Sequence, residues 1–278
     1  MGTIVISGAA SGIGRATARR FTDAGHRVIG IDLHTTEIVA DLETAEGRAA
    51  AVERVTALAD GRLDGLVTCA GKAGLPSRPG SVLAAVNYFG TVALLEGLRP
   101  LLARGQSPAA TAISSNSTTA QPGVSMELVS AFLDGDEARA RALADEVGSL
   151  ATYPASKLAV AHWVRTQATT ADWAGAGIRL NALAPGMVET PLVAEGRADP
   201  DVGPMLALFP LPIGRTGQPE EIAALIEFVM GEYGGFFCGS VIFVDGGTDA
   251  LLRPRDWPAP WDIDPGQIAA AFGGGPAG

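Results

Sequence analysis

The sequence predicts an α/β protein whose doubly wound, predominantly parallel sheet carries helices on both faces. Short apolar runs of strand length alternate along the chain with longer segments of helical periodicity. The first such run opens directly into a glycine-rich turn, and apolar residues make up 47% of the chain against 18% charged. That balance suits strands buried on both faces. The 278 residues fit one large domain. We expect that domain over residues 1–252, with a helical insertion at about 116–150 and a Pro/Gly-rich tail over 253–278.

The elements follow in order. Residues 3–6 form a first strand, 13–21 a helix and 28–31 a second strand ending at Asp32, together a compact β-α-β unit. Residues 49–58 read as a helix, 65–68 as a third strand and 82–102 as a longer helix, and 112–115 end a fourth strand. The stretch 116–150 is long for a strand-to-helix connection, and its charged part, 134–147, has the spacing of an exposed helix. It is either a solvated insertion or a wall over a cavity. A helix over 153–170, a strand over 178–182, a helix over 219–230 and a buried strand over 241–244 complete the pattern. From Pro254 the composition suits neither helix nor strand. The segment is an irregular tail, or else Trp257 and Trp261 dock across a cavity or a second subunit.

The formal charge of −10, from 30 acidic and 20 basic residues, speaks against a nucleic-acid binder, and no basic stripe offsets it. Cys69 and Cys238 lie in apolar segments without Cys or His at ligand spacing. They read as buried free thiols of a reducing compartment, and no metal site is expected. The chain starts on a strand with no basic leader, and no run approaches the roughly 20 apolar residues of a membrane span. A cytoplasmic protein that does not engage the membrane is the expectation.

The turn Gly8-Ala9-Ala10-Ser11-Gly12-Ile13-Gly14 follows the first strand. Its small residues let a diphosphate approach the amino terminus of the next helix, and Gly14 lets that helix sit close to the sheet or the nucleotide. The spacing differs from the usual dinucleotide fingerprint and lacks the Lys-Ser/Thr pair of a triphosphatase loop. Asp32, about 20 residues beyond the turn, is placed to accept hydrogen bonds from a free adenosine 2′-hydroxyl and to repel a 2′-phosphate. NAD(H) is therefore favoured over NADP(H), with Arg15 near the turn as the opposing charge. Asp41 either contacts adenine or simply ends a strand.

Cys69-Ala70-Gly71, Asn87, Ser115, Tyr153-Pro154-Ala155-Ser156-Lys157 and Pro185-Gly186 then follow in order. With the glycine turn they make residues 3–252 resemble the short-chain dehydrogenase/reductase family, a Rossmann-like fold. Cys69 stands where many members have asparagine. Within the family, Ile29-Gly30-Ile31-Asp32, Thr44-Ala45-Glu46-Gly47-Arg48, Val86-Asn87-Tyr88-Phe89-Gly90 and the long gap between Ser115 and Tyr153 resemble the bacterial 3α-hydroxysteroid dehydrogenase/carbonyl reductase group. The resemblance implies Ser115, Tyr153, Lys157 and Asn87 as catalytic residues. It implies a cofactor site of Gly8, Ser11, Gly12, Ile13, Gly14, Asp32, Asp41, Leu42, Cys69, Ala70, Gly71, Asn87, Tyr153, Lys157, Pro185, Gly186, Val188 and Thr190.

The chemistry is coherent on its own terms. Tyrosine ionises near pH 10, and a lysine one helical turn away favours the phenolate. Tyr153 would then accept the alcohol proton in oxidation and return it in reduction. Ser115 would hydrogen-bond the reacting oxygen, and Asn87 would hold a water linking Lys157 to solvent. Met187, Val188, Leu192, Met205, Leu206, Leu208 and Phe209 make the segment after Pro185 an apolar lid, which suits a hydrophobic alcohol or ketone. The resemblance implies hydroxysteroids; smaller terpenoid or xenobiotic carbonyls, and a silent NAD-binding regulator, are the alternatives. It also implies a homo-oligomer. Tetrameric members pair through the helices around Tyr88 and Tyr153, which the insertion would obstruct, so a dimer is slightly preferred.

Overall fold

The computed structural model describes residues 2–262, 264 and 267, so much of the expected tail lies outside the described residues. Seven parallel strands form one sheet: β1 (Thr3–Ser7), β2 (Arg27–Asp32), β3 (Ile38–Val39), β4 (Gly65–Thr68), β5 (Ala109–Ile113), β6 (Arg179–Pro185) and β7 (Val241–Val244). Their order is β3-β2-β1-β4-β5-β6-β7. The chain winds outward from β1 through β2 to β3, then crosses back to lay β4 on the other side of β1. That reversal opens a crevice at the carboxyl ends of the strands, where such sheets bind ligands. The sequence periodicity missed the two-residue β3, too short to display a period of two.

Successive residues of the central strands point to opposite faces, and both faces are buried. Val5, Leu66, Ala110 and Leu180 face one apolar core, whereas Ile4, Val67, Ala109 and Leu183 face the other. The second core is closed by α1 (Gly12–Asp23) and α11 (Pro219–Met230), which pack on each other. The first is closed by α2 (Ala45–Leu58), α4 (Thr91–Leu102) and the long α8 (Ser149–Gln167). Burial on both sides supplies the main stabilisation.

One helical run over 80–102 consists of α3 (Gly80–Leu83), a π-helical turn (Ala84–Gly90) and α4. It is long and apolar enough to cross a membrane by composition, but Leu94, Leu95 and Leu98 are fully buried against the sheet. The π-helical turn, which carries Asn87, has no signature in hydrophobic spacing.

The 116–150 region is built into the core. After α5 (Ser117–Ala120), α6 (Met126–Leu133) buries Leu128, Val129 and Phe132, and α7 (Glu137–Val147) buries Ala140 and Ala144. Helix α6 packs on α8, and α7 on α3, α8 and the π-helical turn. Phe132 stacks on Tyr88 with ring centroids 4.9 Å apart. Beyond β6, α9 (Pro191–Ala198) and α10 (Val202–Ala207) form a separate flap, and α12 (Thr248–Leu252) is the last α-helix among the described residues.

Candidate active site

At the β1–α1 turn, Gly8 and Gly12 adopt φ of +70° and +52°, the left-handed region that favours glycine. Gly14 is required for another reason: a Cβ there would run into the Gly8 carbonyl. The glycine thus seats α1 against the turn's own backbone. Ser11 caps α1 without using its hydroxyl on the helix. The Asp32 carboxylate accepts from the Ala10 N–H at 3.0 Å and the Leu33 N–H at 2.7 Å, joining the glycine turn to the end of β2.

These residues line one cleft together with Ile13, Asp41, Leu42, Cys69, Ala70 and Gly71. Lys157, Tyr153, Pro185, Gly186, Val188 and Thr190 continue it toward the chemical end. Thr190 caps α9 by accepting from the Val193 N–H at 3.3 Å, and its methyl lies where a Cβ on Gly12 would touch it. Asp41 is exposed and accepts from the Glu43 N–H at 2.9 Å. Asn87 lies buried beside the cleft.

The Ser114-Ser115 pair divides its work at the end of β5. Ser114 donates to the Lys157 carbonyl at 2.9 Å and pins α8 to the sheet. Ser115 Oγ accepts from the Ser117 N–H at 3.1 Å, which leaves its own proton to donate outward. Tyr153 and Lys157 share one face of α8. Burial raises the Tyr153 phenol above its ordinary value, and a hydrogen bond with Ser115 opposes that rise. Lys157 Nζ donates to the Ile113 carbonyl at 2.8 Å, and burial pulls it down to about 8 while Cys69 opposes the fall. The Cys69 thiol is pushed up to about 12 by burial, against the nearby Lys157. It stands half-buried in the cleft wall as a protonated thiol.

Asn87 is fully buried, and Lys72 backbone groups hold both ends of its amide. Oδ1 accepts from the Lys72 N–H at 2.7 Å and Nδ2 donates to the Lys72 carbonyl at 3.1 Å. The side chain therefore fixes the loop after β4.

A second cavity of about 390 Å³ meets the cleft at Ser115 and Tyr153, a size within the small-molecule range. Met187, Leu192, Met205, Leu206 and Phe209 line it, as expected. Val188 instead lines the cofactor cleft, and Leu208 is 85% exposed and takes no part, because α10 turns it outward. From the 116–150 region, Asn116, Ser117, Ala120, Gln121, Pro122 and Leu150 reach the cavity, whereas α6 and α7 do not. Trp257 and Trp261 are exposed and line neither cavity. Cys238, expected to be buried, is exposed because it lies in the turn before the edge strand β7.

Sequence reading missed Gln121. Pro154 inside α8 has no N–H for the Leu150 carbonyl four residues earlier. Gln121 Nε2 donates to that carbonyl instead, at 3.0 Å, and so fixes the cavity wall. Only the proline in the Tyr-Pro-Ala-Ser-Lys run signalled that α8 would need an outside donor.

Two family models match the chain: short chain dehydrogenase over residues 2–131 and enoyl-(acyl carrier protein) reductase over residues 146–249. A 3-alpha-hydroxysteroid dehydrogenase/carbonyl reductase of Comamonas testosteroni is 43% identical over 260 residues, covering 92% of this chain and all of that one. The chain is a short-chain dehydrogenase/reductase. The crystal structure of a 3-alpha-hydroxysteroid dehydrogenase from Pseudomonas sp. B-0831, complexed with NADH, superposes with a TM-score of 0.87 at 47% identity. It covers 91% of this chain and 99% of that chain. A cis-4-hydroxycyclohexanecarboxylate dehydrogenase of Sinomonas cyclohexanicum is 33% identical, with 89% of this chain and 96% of that one covered.

The short-chain dehydrogenase/reductase site fits NAD(H). A glycine cradle that a Cβ would fill and a carboxylate at the end of β2 match a diphosphate and an unphosphorylated ribose. The protein is an NAD(H)-dependent oxidoreductase.

Proposed function

We propose that this oxidoreductase interconverts secondary alcohols and ketones on hydrophobic cyclic substrates, hydroxysteroids foremost, with Ser115, Tyr153 and Lys157 as its catalytic residues and Asn87, expected among them, as a positioning residue. The observation that carries the reading is the apolar cavity ending on the Ser115 and Tyr153 hydroxyls. The Comamonas and Pseudomonas relatives, both named for 3-alpha-hydroxysteroids, support the substrate class.

Bound NAD(H) accepts or supplies the hydride. Ser115, held by the Ser117 N–H, donates to the reacting oxygen and keeps it beside Tyr153. Tyr153 takes the alcohol proton in oxidation and gives it back in reduction. Lys157, one turn along the same face of α8, would favour phenolate by its positive charge, against the burial that raises the Tyr153 phenol. Asn87 holds the loop bearing Gly71 and Lys72 in place. The proposed cofactor set runs from Gly8 to Thr190, and its support is that each of these residues except Asn87 lines the cleft.

A second reading, turnover of small cyclic alcohols, draws support from the Sinomonas relative and from Asn116, Ser117 and Gln121, polar groups in the cavity wall. A panel of hydroxysteroids and small cyclic alcohols, run with NAD(H) and NADP(H) and analysed for product stereochemistry, separates the two. Failure on every steroid beside efficient turnover of small alcohols would overturn the first reading, and binding without turnover of anything would indicate a regulator. Tyr153→Phe should nearly abolish turnover and retain cofactor binding.

The protein is further proposed to be cytoplasmic and dimeric. Its two free cysteines support the compartment. The dimer is supported by the edge strand β7, only half-buried along its length, and by the exposed Phe228, Tyr233 and Phe236 nearby. The faces of α8 and the π-helical turn are already covered by α6 and α7. Light scattering tests this, and a stable monomer would contradict it.

A further inference from the structure

Helix α7 lines neither cavity, yet it touches the adenine end of the cofactor cleft through one buried arginine. Arg48 on α2 is 6% exposed. Its Nη1 donates to the Leu42 carbonyl at 3.3 Å and the Glu43 carbonyl at 3.5 Å, and its Nη2 pairs with Glu137 of α7 at 2.5 Å. Arg141, also on α7, donates to the same Glu43 carbonyl at 3.5 Å and pairs with Glu137 at 3.6 Å. Leu42, which Arg48 holds from behind through its carbonyl, and Asp41 next to it in the chain line the cofactor cleft beside Ala40 and Asp32.

The loop is gripped from two more directions. A Cβ on Gly47 would run into the Asp41 carbonyl, and one on Gly90 would lie 3.2 Å from Leu42 Cβ. Gly90 closes the π-helical turn that carries Asn87. The Asp41–Leu42 wall has little freedom while Arg48 stays in place, and Arg48 is a buried cation whose one carboxylate partner among the described residues comes from the insertion. Removing that partner leaves a buried charge without compensation.

We propose that Glu137, acting through Arg48, is a positioning residue for the adenosine half of NAD(H), and that helix α7 braces the cofactor cleft from outside it. A wall held in one conformation presents its binding-competent state all the time. A loosened wall does so part of the time, and the apparent dissociation constant rises by the inverse of that fraction. The inference rests on the NAD(H) reading of the cleft.

The test measures Kd calorimetrically for NADH and for ADP-ribose, which lacks the nicotinamide, on the wild type, Glu137→Gln and Arg48→Lys. Glu127→Gln serves as control, because it breaks an exposed pair with Arg139 on the same insertion. In Glu137→Gln both constants should rise together by about three- to tenfold, with kcat at saturating NAD retained. Arg48→Lys keeps the charge and loses the fork, so it should move both constants in the same direction. The control should leave both unchanged.

Unchanged constants in Glu137→Gln and Arg48→Lys would make the pair purely structural and overturn the proposal, whatever happens to Tm. So would a rise for NADH without one for ADP-ribose, or an equal rise in the control. Failure of the wild type to bind either ligand would instead remove the NAD(H) reading beneath it.

Discussion

The ammonium of Lys157 donates to the Ile113 carbonyl at 2.8 Å, so the cation of α8 is moored to the last residue of β5. This mooring keeps a charge in a buried place at a cost visible in its pKa, drawn from 10.5 to about 8. Below pH 8 the folded and unfolded chains both carry the charge. Between pH 8 and 10.5 the unfolded chain binds more protons, so stability rises with pH over that window. Lys157→Met removes this dependence. Thermal unfolding of the apoprotein from pH 7.5 to 10.5, taken as wild type minus variant, should climb by on the order of 3 kcal/mol. The subtraction removes the opposing alkaline losses from Cys69 and Tyr153. A flat or falling difference would show that burial does not lower the Lys157 pKa.

The bond from Gln121 to Leu150 is a substitute for one that Pro154 cannot make. Gln121→Ala leaves the Leu150 carbonyl without a donor and should cost about 1–3 kcal/mol. Pro154→Ala supplies the missing backbone N–H. The double variant should therefore recover stability relative to Gln121→Ala, and a denaturant-unfolding double-mutant cycle reads the coupling. Strict additivity of the two changes would refute the exchange.

The first strand was legible because Ile4, Val5 and Ile6 stand in an unbroken apolar run, which strands covered on both faces require; Val241 to Val244 reads the same way, but as the edge strand it is half-buried instead of buried as expected. The meeting of Tyr153 and Lys157 was legible through spacing, since a four-residue step on a helix puts two side chains together whatever the tertiary context, whereas Ser115 was singled out only by the family resemblance. The burial of α6 and α7 was not legible. Ala140 and Ala144 form a narrow apolar seam in a charged segment, and only the presence of α3 and α8 opposite them makes it a core face. The exposure of Leu208 and Cys238 was hidden for the converse reason: an apolar residue in a turn faces outward when nothing packs over it. The role of Arg48 lay beyond sequence reading because its partner, Glu137, is 89 residues away.

Asp32 uses one carboxylate oxygen on Ala10 and the other on Leu33. An amide in its place offers a single acceptor, and its NH2 would face one of two N–H groups. Asp32→Asn should weaken NADH binding and, by removing the negative charge, reduce discrimination against NADPH by about tenfold or more. Fluorescence titration with both cofactors measures this. Unaltered discrimination would relocate the NAD(H) determinant elsewhere in the cleft.

Ser115 has two effects that one substitution can separate. Its hydroxyl is aimed by the Ser117 N–H, so Ser115→Ala removes an oriented donor to the reacting oxygen and should lower kcat by about 10²–10³. The same hydroxyl lowers the Tyr153 pKa against the rise due to burial. Without it the phenol holds its proton more tightly, and oxidation needs the unprotonated base. The alkaline rise of kcat/KM for alcohol oxidation should therefore shift to higher pH in Ser115→Ala, in addition to the overall loss of rate. Reduction uses the protonated phenol, so its activity should persist to higher pH than in the wild type. A loss of rate with an unmoved profile would mean that Ser115 orients substrate without tuning Tyr153; a shift toward acid would contradict the hydrogen bond itself.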